Sequence, residues 1–286
     1  MKSDFVLVGG DMRMCHAVRF LGERGYRISV FANSAAGALP GITLCTSVED
    51  AAKSSDKILF GIPFAKNGEI SAPLCNQKIS PDDFLKYIEP HHMVIGGMLG
   101  DFKCKCEEKG AFCADYGLRE DFCLLNAVPT VEAVIAILIE KLPVTLWGSK
   151  ILVMGYGRIG KLLAGRLSEL GADVTVTARR SPDFALALIK GVKCEQTDSY
   201  INNGIGYRAV INTIPKKILT EKSFSCLSRE CLVVDVSSYP GYVSQEEGAL
   251  HGVEVMGAFS LPGKSSPVTA GRIIADVAEN IVSEQH

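Results

Sequence analysis

Neither acid nor base dominates this 286-residue chain: 30 Lys and Arg face 32 Asp and Glu, a formal net charge of −2 at pH 7. Binding to a phosphate backbone relies on a concentrated cationic face, so nucleic acid is excluded as the main partner, while a local basic pocket is still allowed. Long apolar runs are also missing. The longest uninterrupted one, Ala133 to Ile139, falls far short of the roughly 20 residues that span a bilayer. The opening MKSDFVLVGGD holds only a short apolar run interrupted by Asp4 and ended by glycines, unlike a secretory signal. A soluble, cytoplasmic protein with no membrane partner is therefore expected. No segment is of low complexity, and 47% hydrophobic with 22% charged residues is ordinary globular usage, which excludes disorder and fibrous repeats.

The ten cysteines lack the spacing of a metal site. Cys104, Cys106, Cys113 and Cys123 offer one C-x-C and scattered followers rather than two paired arms, so no metal is expected. Cys45, Cys75, Cys194, Cys226 and Cys231 lie in apolar segments and read as reduced, small apolar side chains. A chain of this length needs no disulfide framework. His16, His91, His92 and His251 have no recognisable partners and read as structural.

What the chain does contain is a repeated strand, glycine turn and helix. Its length suggests two domains of roughly 100 to 200 residues each. In DFVLVGGDMRMCHAVRFLGERGYRISVFA, Phe5 to Val8 reads as a strand, and Met14, Val18 and Leu21 recur at helical spacing. Gly25 is a helix C-cap and Ile28 to Phe31 the next strand. Lys57 to Phe60, Met93 to Ile95 and Ala111 to Ala114 continue the alternation, which implies a parallel sheet with helices on its faces. A second unit begins near Lys150, with strands at Ile151 to Met154, Val174 to Thr177, Ala209 to Ile214, Cys231 to Val236 and Val253 to Met256. The expected fold class is therefore α/β, with two Rossmann-like doubly wound parallel-sheet domains. Between them, NAVPTVEAVIAILIEKLP reads as a joining helix bounded by Pro129 and Pro143, with Val131, Val134, Ile135, Leu138 and Ile139 on its apolar side. Near the end, Ala270, Ile273, Ile274, Val277, Ala278, Ile281 and Val282 form one apolar helical stripe, with Thr269 or Ser266 as its cap. The expected divisions are 1–128, a joining helix over 129–145, 146–266, and a terminal helix over 267–286.

Within VMGYGRIGKLLAGRLSELGADVTVTARR, Gly155, Gly157 and Gly160 follow an apolar strand and open a helix, the context that a dinucleotide fingerprint requires. Gly155 makes the tight turn, Gly157 lets the backbone approach a pyrophosphate, and Gly160 admits close helix–sheet packing. Tyr156, Arg158 and Ile159 complete the loop, and the helix N-terminus supplies N–H groups and a favourable dipole. NAD-specific sites place an acid at the end of the second strand, where it meets the ribose hydroxyls. Here that strand ends in Ala178, Arg179 and Arg180. Guanidinium groups bind phosphate through charge-assisted contacts, so NADP is the expected cofactor. Which arginine makes the main contact, or whether both are solvated turn residues, is open. Thr213, Ile214 and Pro215 in INTIP end the fourth strand, and Val236 and Ser237 in DVSS (Asp235 to Ser238) end the fifth. Open α/β sheets place ligands at such ends, although ordinary strand-end turns fit equally.

The chain resembles the family of dipicolinate synthase A-subunits over nearly its whole length. The resemblance is carried by GGDMR at Gly9 to Arg13, NAVPTVEAVI at Asn126 to Ile135, GYGRIG at Gly155 to Gly160, Ala178 with Arg179, INTIP at Ile211 to Pro215, and LPGKSSPVTAG at Leu261 to Gly271. SSYPGY at Ser237 to Tyr242 departs from an ASRPGG-like family pattern, and Arg180 replaces a small polar residue. The resemblance implies that residues 267–286 pack back on a first, substrate-binding domain, that 146–266 bind NADP, and that a cleft lies between the lobes. It implies NAD(P)-dependent oxidation of a dihydrodipicolinate-type intermediate of the lysine pathway to dipicolinate during sporulation. It also implies a hetero-oligomer with a second, flavoprotein-like subunit. A small dicarboxylate substrate calls for cations. Arg13 is the first candidate, unless it is paired with Asp11, and Lys264 is the second, as a substrate-binding or catalytic group. Asn126, Thr130 and Glu132 are expected at the start of the joining helix, where a carboxylate meets N–H donors or Glu132 itself satisfies the terminus. Asp11 is a candidate base or a turn-stabilising residue. Another two-domain NADP-dependent hydroxy- or amino-acid dehydrogenase and a non-catalytic NADP-binding subunit are the alternatives.

Overall fold

The central strands are short, mostly apolar and buried along nearly their whole length, which requires cover on both faces of each sheet. The computed structural model describes residues 2–197, 206–237 and 243–285. It divides into two units, Met1–Asn126 with Pro262–His286, and Ala127–Leu261.

The first unit runs β1 (Phe5–Val8), α1 (Met12–Glu23), β2 (Ile28–Phe31), α2 (Ser34–Gly37), β3 (Thr43–Leu44), α3 (Val48–Ser54), β4 (Lys57–Phe60), a small hairpin of β5 (Ala65–Lys66) and β6 (Glu69–Ile70), α4 (Pro81–Leu85), β7 (Met93–Gly96), α5 (Asp101–Glu108) and β8 (Phe112–Asp115). Its six-stranded parallel sheet has the order β3-β2-β1-β4-β7-β8. Side chains alternate across a strand, so Phe5 and Leu7 enter the core beneath α1 while Val6 and Val8 enter the core on the other face. Phe60 anchors that second core, meeting Phe64, Phe84 and Phe102 edge-on at centroid distances of 4.9, 5.1 and 6.0 Å.

Next comes α6 (Glu120–Lys141), and then the second unit: β9 (Lys150–Met154), α7 (Arg158–Glu169), β10 (Asp173–Ala178), α8 (Ser181–Ile189), β11 (Lys193–Gln196), β12 (Ala209–Asn212), α9 (Glu221–Ser225), β13 (Leu232–Asp235), α10 (Gln245–Leu250) and β14 (Glu254–Gly257). Its parallel order, β11-β10-β9-β12-β13-β14, repeats the winding of the first sheet. Both units are thus Rossmann-like, each with its chain reversing direction beside the first strand. A short helix, α11 (Leu261–Ser265), precedes α12 (Pro267–Ser283).

Helix α12 lies against α1 in the first unit. Its Ile273, Ile274, Val277, Ala278 and Ile281 share a core with Met14, Val18 and Leu21. Arg24 pairs with Asp276 and Glu279, and Arg119 pairs with Glu284 at 2.7 Å. The closest approach is at Gly271, where an added Cβ would come within 2.4 Å of the Arg13 carbonyl and 2.6 Å of the His16 Cβ.

One local expectation needs correction. The helix expected to start at Pro129 begins at Glu120, and Pro129 lies inside it. An internal proline removes one backbone hydrogen bond, but burial of Phe122, Ala127, Val131, Val134 and Leu138 along the helix outweighs that loss. By length and composition alone, the 22-residue α6 also matches a membrane span. A proline-bounded reading hides this, and much of its apolar surface is packed in the cores. At α12, Ser266 holds the N-cap position without a side-chain cap bond, and Pro267 opens the helix, where its missing N–H costs nothing.

Because Gly271 sits against backbone, Gly271→Val is expected to lower the unfolding free energy by about 1 to 3 kcal/mol. Chemical denaturation compared with Val268→Ala, at a half-exposed position of the same helix, checks this; equal stabilities would refute the close approach.

Candidate functional site

The turn after β9 is built around glycines that differ in what they require. Gly155 has φ of +94°, and a Cβ there would meet Thr213 Oγ1 at 2.7 Å and Ile214 Cγ1 at 2.8 Å. At Gly160 a Cβ would lie 2.0 Å from the Gly155 carbonyl oxygen, so the helix can begin this close to the strand only without a side chain. Gly157 is different: nothing lies within 4 Å of its Cβ position. It is the N-cap of α7 and provides no side-chain cap bond. Open space in front of an uncapped helix start suits an anion. The pyrophosphate of a dinucleotide therefore fits these residues.

Around this turn lies a cavity of about 520 Å³ lined by Gly155, Tyr156, Gly157, Thr177, Ala178, Arg179, Arg180, Asp183, Thr197, Thr213, Ile214 and Pro215. The cavity brings together most of the cofactor residues named from the sequence. Arg158 is exposed, Ile159 half-buried and Gly160 buried at the start of α7. The Gly155 amide donates to Thr177 Oγ1 at 3.1 Å, and Thr213 Oγ1 donates to the Met154 carbonyl at 2.8 Å, which fixes the two strand ends.

The two arginines are not equivalent. Arg179 is exposed and makes no ion pair among the described residues. Arg180 donates from Nε to Asp183 Oδ2 at 2.9 Å, and Lys161 Nζ lies 3.3 Å from Asp183 Oδ1. The Arg180 guanidinium, with Lys161 behind it, holds the Asp183 carboxyl below its ordinary range. Lys161 also stands 5.5 Å from the centre of the Tyr156 ring, whose phenol is pushed up by burial.

Beneath the INTIP and DVSS segments is one buried carboxylate. Asp235 accepts from Asn212 Nδ2 at 3.0 Å, the Ser237 amide at 3.0 Å and the Val243 amide at 2.8 Å. Asn212 Oδ1 accepts from the Ile214 amide at 3.1 Å, and its carbonyl from Val236 at 3.0 Å. Thr213, Ile214, Val236 and Ser237 are thus held by a common network. Ser238 and the rest of SSYPGY, residues 238–242, lie outside the described residues.

In the first unit, Asp11 caps α1 by accepting from the Arg13 amide at 3.0 Å. It also takes the Arg13 side chain, Nε to Oδ1 at 2.9 Å and Nη2 to Oδ2 at 2.8 Å. Arg13 is buried and donates further to the Ile62 carbonyl. Gly263 lies beside this pair, its Cβ position 3.0 Å from Arg13 Nε. Lys264, one residue on, is exposed. Asn126, Thr130 and Glu132 do not open a helix: they are interior to α6, where backbone N–H groups belong to the helical ladder rather than to a ligand.

Sequence reading misses several groups. Asp183 and Lys161 each look like an ordinary helical surface charge; the signal is the three-residue spacing from Arg180 to Asp183 at the start of α8. Asn33 is a second omission: it donates to the Gly9 and Gly10 carbonyls, both at 3.0 Å, and so holds the GGD turn. A third is Asp115, which accepts from the Met98, Leu99 and Gly117 amides at 2.8–2.9 Å. Among the described residues no three metal-ligating side chains converge. His92 is buried, accepts from the Glu89 amide and contacts the Ala52 carbonyl, and burial lowers its pKa.

Residues 4–116 match the model of the N-terminal domain of the dipicolinate synthase A-subunit. Over 97% of the chain and 95% of the relative, the sequence is 28% identical to the dipicolinate synthase A-subunit of Bacillus subtilis (strain 168). The crystal structure of the dipicolinate synthase A-subunit from Bacillus halodurans superposes with a TM-score of 0.88 at 26% identity, covering 97% of each chain. A transhydrogenase from Sinorhizobium meliloti shares the fold, with a TM-score of 0.66 at 17% identity over 98% of this chain and 94% of that one.

The glycine geometry separates ligand from packing. Gly157→Val is expected to cost stability no more than about 1 kcal/mol, as a poorer N-cap, while weakening nicotinamide-coenzyme binding about tenfold or more if a dinucleotide occupies the open space there. Gly160→Ala is expected to cost stability itself, about 1 to 3 kcal/mol. Calorimetric titration and denaturant melts of both variants check this. Full coenzyme affinity in Gly157→Val would show that the space serves no ligand.

Proposed function

The chain resembles the dipicolinate synthase A-subunit over nearly its whole length, and from that premise we propose that it is the NADP-dependent oxidoreductase that oxidises a dihydrodipicolinate-type intermediate to dipicolinate. The observation that carries the coenzyme part is the open space above Gly157 at an uncapped helix start. At the adjoining strand end Arg179 is exposed and without an ion pair among the described residues.

When bound, the nicotinamide supplies the acceptor for the hydride that a dihydropyridine loses on becoming aromatic. The residues of the chain bind and orient. Backbone N–H groups at the start of α7 take the pyrophosphate, and Arg179 takes the 2′-phosphate through a charge-assisted contact. Asn212 and Asp235 keep Thr213 to Pro215 and Val236 to Ser237 in place. The substrate carries two carboxylates. Arg13, clamped by Asp11 and the Ile62 carbonyl through Nε and Nη2, offers Nη1 to one of them, and the exposed Lys264 adds a second positive charge. In this reading Asp11 aims Arg13, and the proton released with the hydride passes to water. The relatives are named as one subunit of a synthase, which supports a partner subunit. We take that partner to be flavoprotein-like, in a sporulating cell's cytoplasm.

Arg179→Ser is expected to weaken NADP binding about 10- to 100-fold, the loss of one hydrogen-bonded charge contact, with NAD binding little changed. The assay for the reaction is dipicolinate formation by the purified chain with its partner subunit, given NADP and the product of dihydrodipicolinate synthase. NADPH and dipicolinate should appear in equal amounts. Coenzyme binding without pyridine formation would leave a non-catalytic role. Turnover of an α-hydroxy acid instead would mark a different dehydrogenase.

A further inference from the structure

The cavity that receives the adenosine end of the coenzyme contains a carboxylate, although its strand end reads as purely cationic. Asp183 lines the same wall as Arg179 and Arg180. It sits in the first turn of α8, and its side chain is only 11% exposed. Both carboxylate oxygens are engaged, Oδ2 by Arg180 Nε at 2.9 Å and Oδ1 by Lys161 Nζ at 3.3 Å. Arg180 from the lining and Lys161 from beside it are drawn to Asp183, whereas Arg179 makes no ion pair among the described residues.

Resting on the coenzyme reading above, we propose that Asp183 sets the coenzyme choice of this pocket: it competes with the 2′-phosphate of NADP for Arg180 and Lys161, and accepts hydrogen bonds from the ribose hydroxyls of NAD. A phosphate dianion brought to the strand end meets a carboxylate of like charge beside its cationic partners, a juxtaposition that costs affinity. An unphosphorylated ribose offers two O–H donors to the same oxygens. The end of β10 itself has no acid to play that part, since Ala178, Arg179 and Arg180 occupy it. The pocket therefore holds NADP mainly through Arg179 and also accepts NAD, with Asp183 narrowing the difference between them. Asp183 is in this sense a specificity-determining residue that acts from the neighbouring helix rather than from the strand.

The test is direct binding of NADP and NAD to the full chain by calorimetry, for the wild type, Asp183→Asn and Asp183→Ser. The second variant, with a smaller side chain, covers any misfolding of the first, and thermal melts confirm that each is folded. Both variants are expected to shift the ratio of NAD to NADP dissociation constants about tenfold toward NADP. A ratio unchanged from wild type, or one shifted toward NAD, overturns the role of Asp183 while leaving the coenzyme site intact. A wild-type chain that binds neither coenzyme overturns the site and this inference together.

Discussion

The start of α7 presses against the end of β9, and the 2.0 Å separation between a Gly160 Cβ position and the Gly155 carbonyl is the constraint on which the second unit's site depends. Any side chain at residue 160 would push the helix outward and carry Gly157 and the first N–H groups with it. The same closeness sets where Thr213 and Ile214 stand, because they fill the space over Gly155. Anion binding at a helix terminus falls off within the first turn, so a displaced helix would lose the ligand as well as the packing.

The two units have the same winding, yet only one keeps its first turn open. In the first unit the helix after β1 is capped by Asp11, whose carboxylate already occupies the place of an anion at the terminus. A Cβ at Gly10 would meet Met14, and one at Gly9 would meet the Ser71 carbonyl, so that turn is filled by the protein itself. In the second unit the N-cap is a glycine without a side chain to do this. The difference between a built-in carboxylate and an open terminus is what favours the second unit for a dinucleotide, since topology alone would allow either.

Much of the framework was legible because buried parallel strands are short apolar runs ended by glycine or polar residues. Phe5–Val8, Ile28–Phe31 and Lys57–Phe60 coincide with their apolar runs for that reason. Of the four edge strands of the six-stranded sheets, β8 and β14 follow the runs Ala111 to Ala114 and Val253 to Met256, but β3 and β11 were not legible. Lys193–Gln196 is polar and only partly covered, and Thr43–Leu44 is exposed, so neither shows an apolar signature. Proline misleads at α6, because the rule that it breaks helices is local while the burial that sustains this helix extends over both sides of Pro129. At the site, glycine spacing exposes the backbone requirement, but charge pairing stays hidden, since Asp183 and Lys161 come together only when α7 and α8 are placed beside one sheet.

The arginines illustrate the same limit in energetic terms. Arg13 and Arg180 each stand beside the start of a helix, and each is met by an aspartate two or three residues away in the chain. An arginine so paired contributes geometry, a fixed fork of donors, with much of its charge already offset. The long-range attraction for an anionic ligand then falls to cations without an ion pair among the described residues, Arg179 in one unit and Lys264 in the other, both of them exposed. Exposure weakens each through solvent and salt. The protein thus combines paired arginines, which hold direction, with exposed cations, which supply net charge.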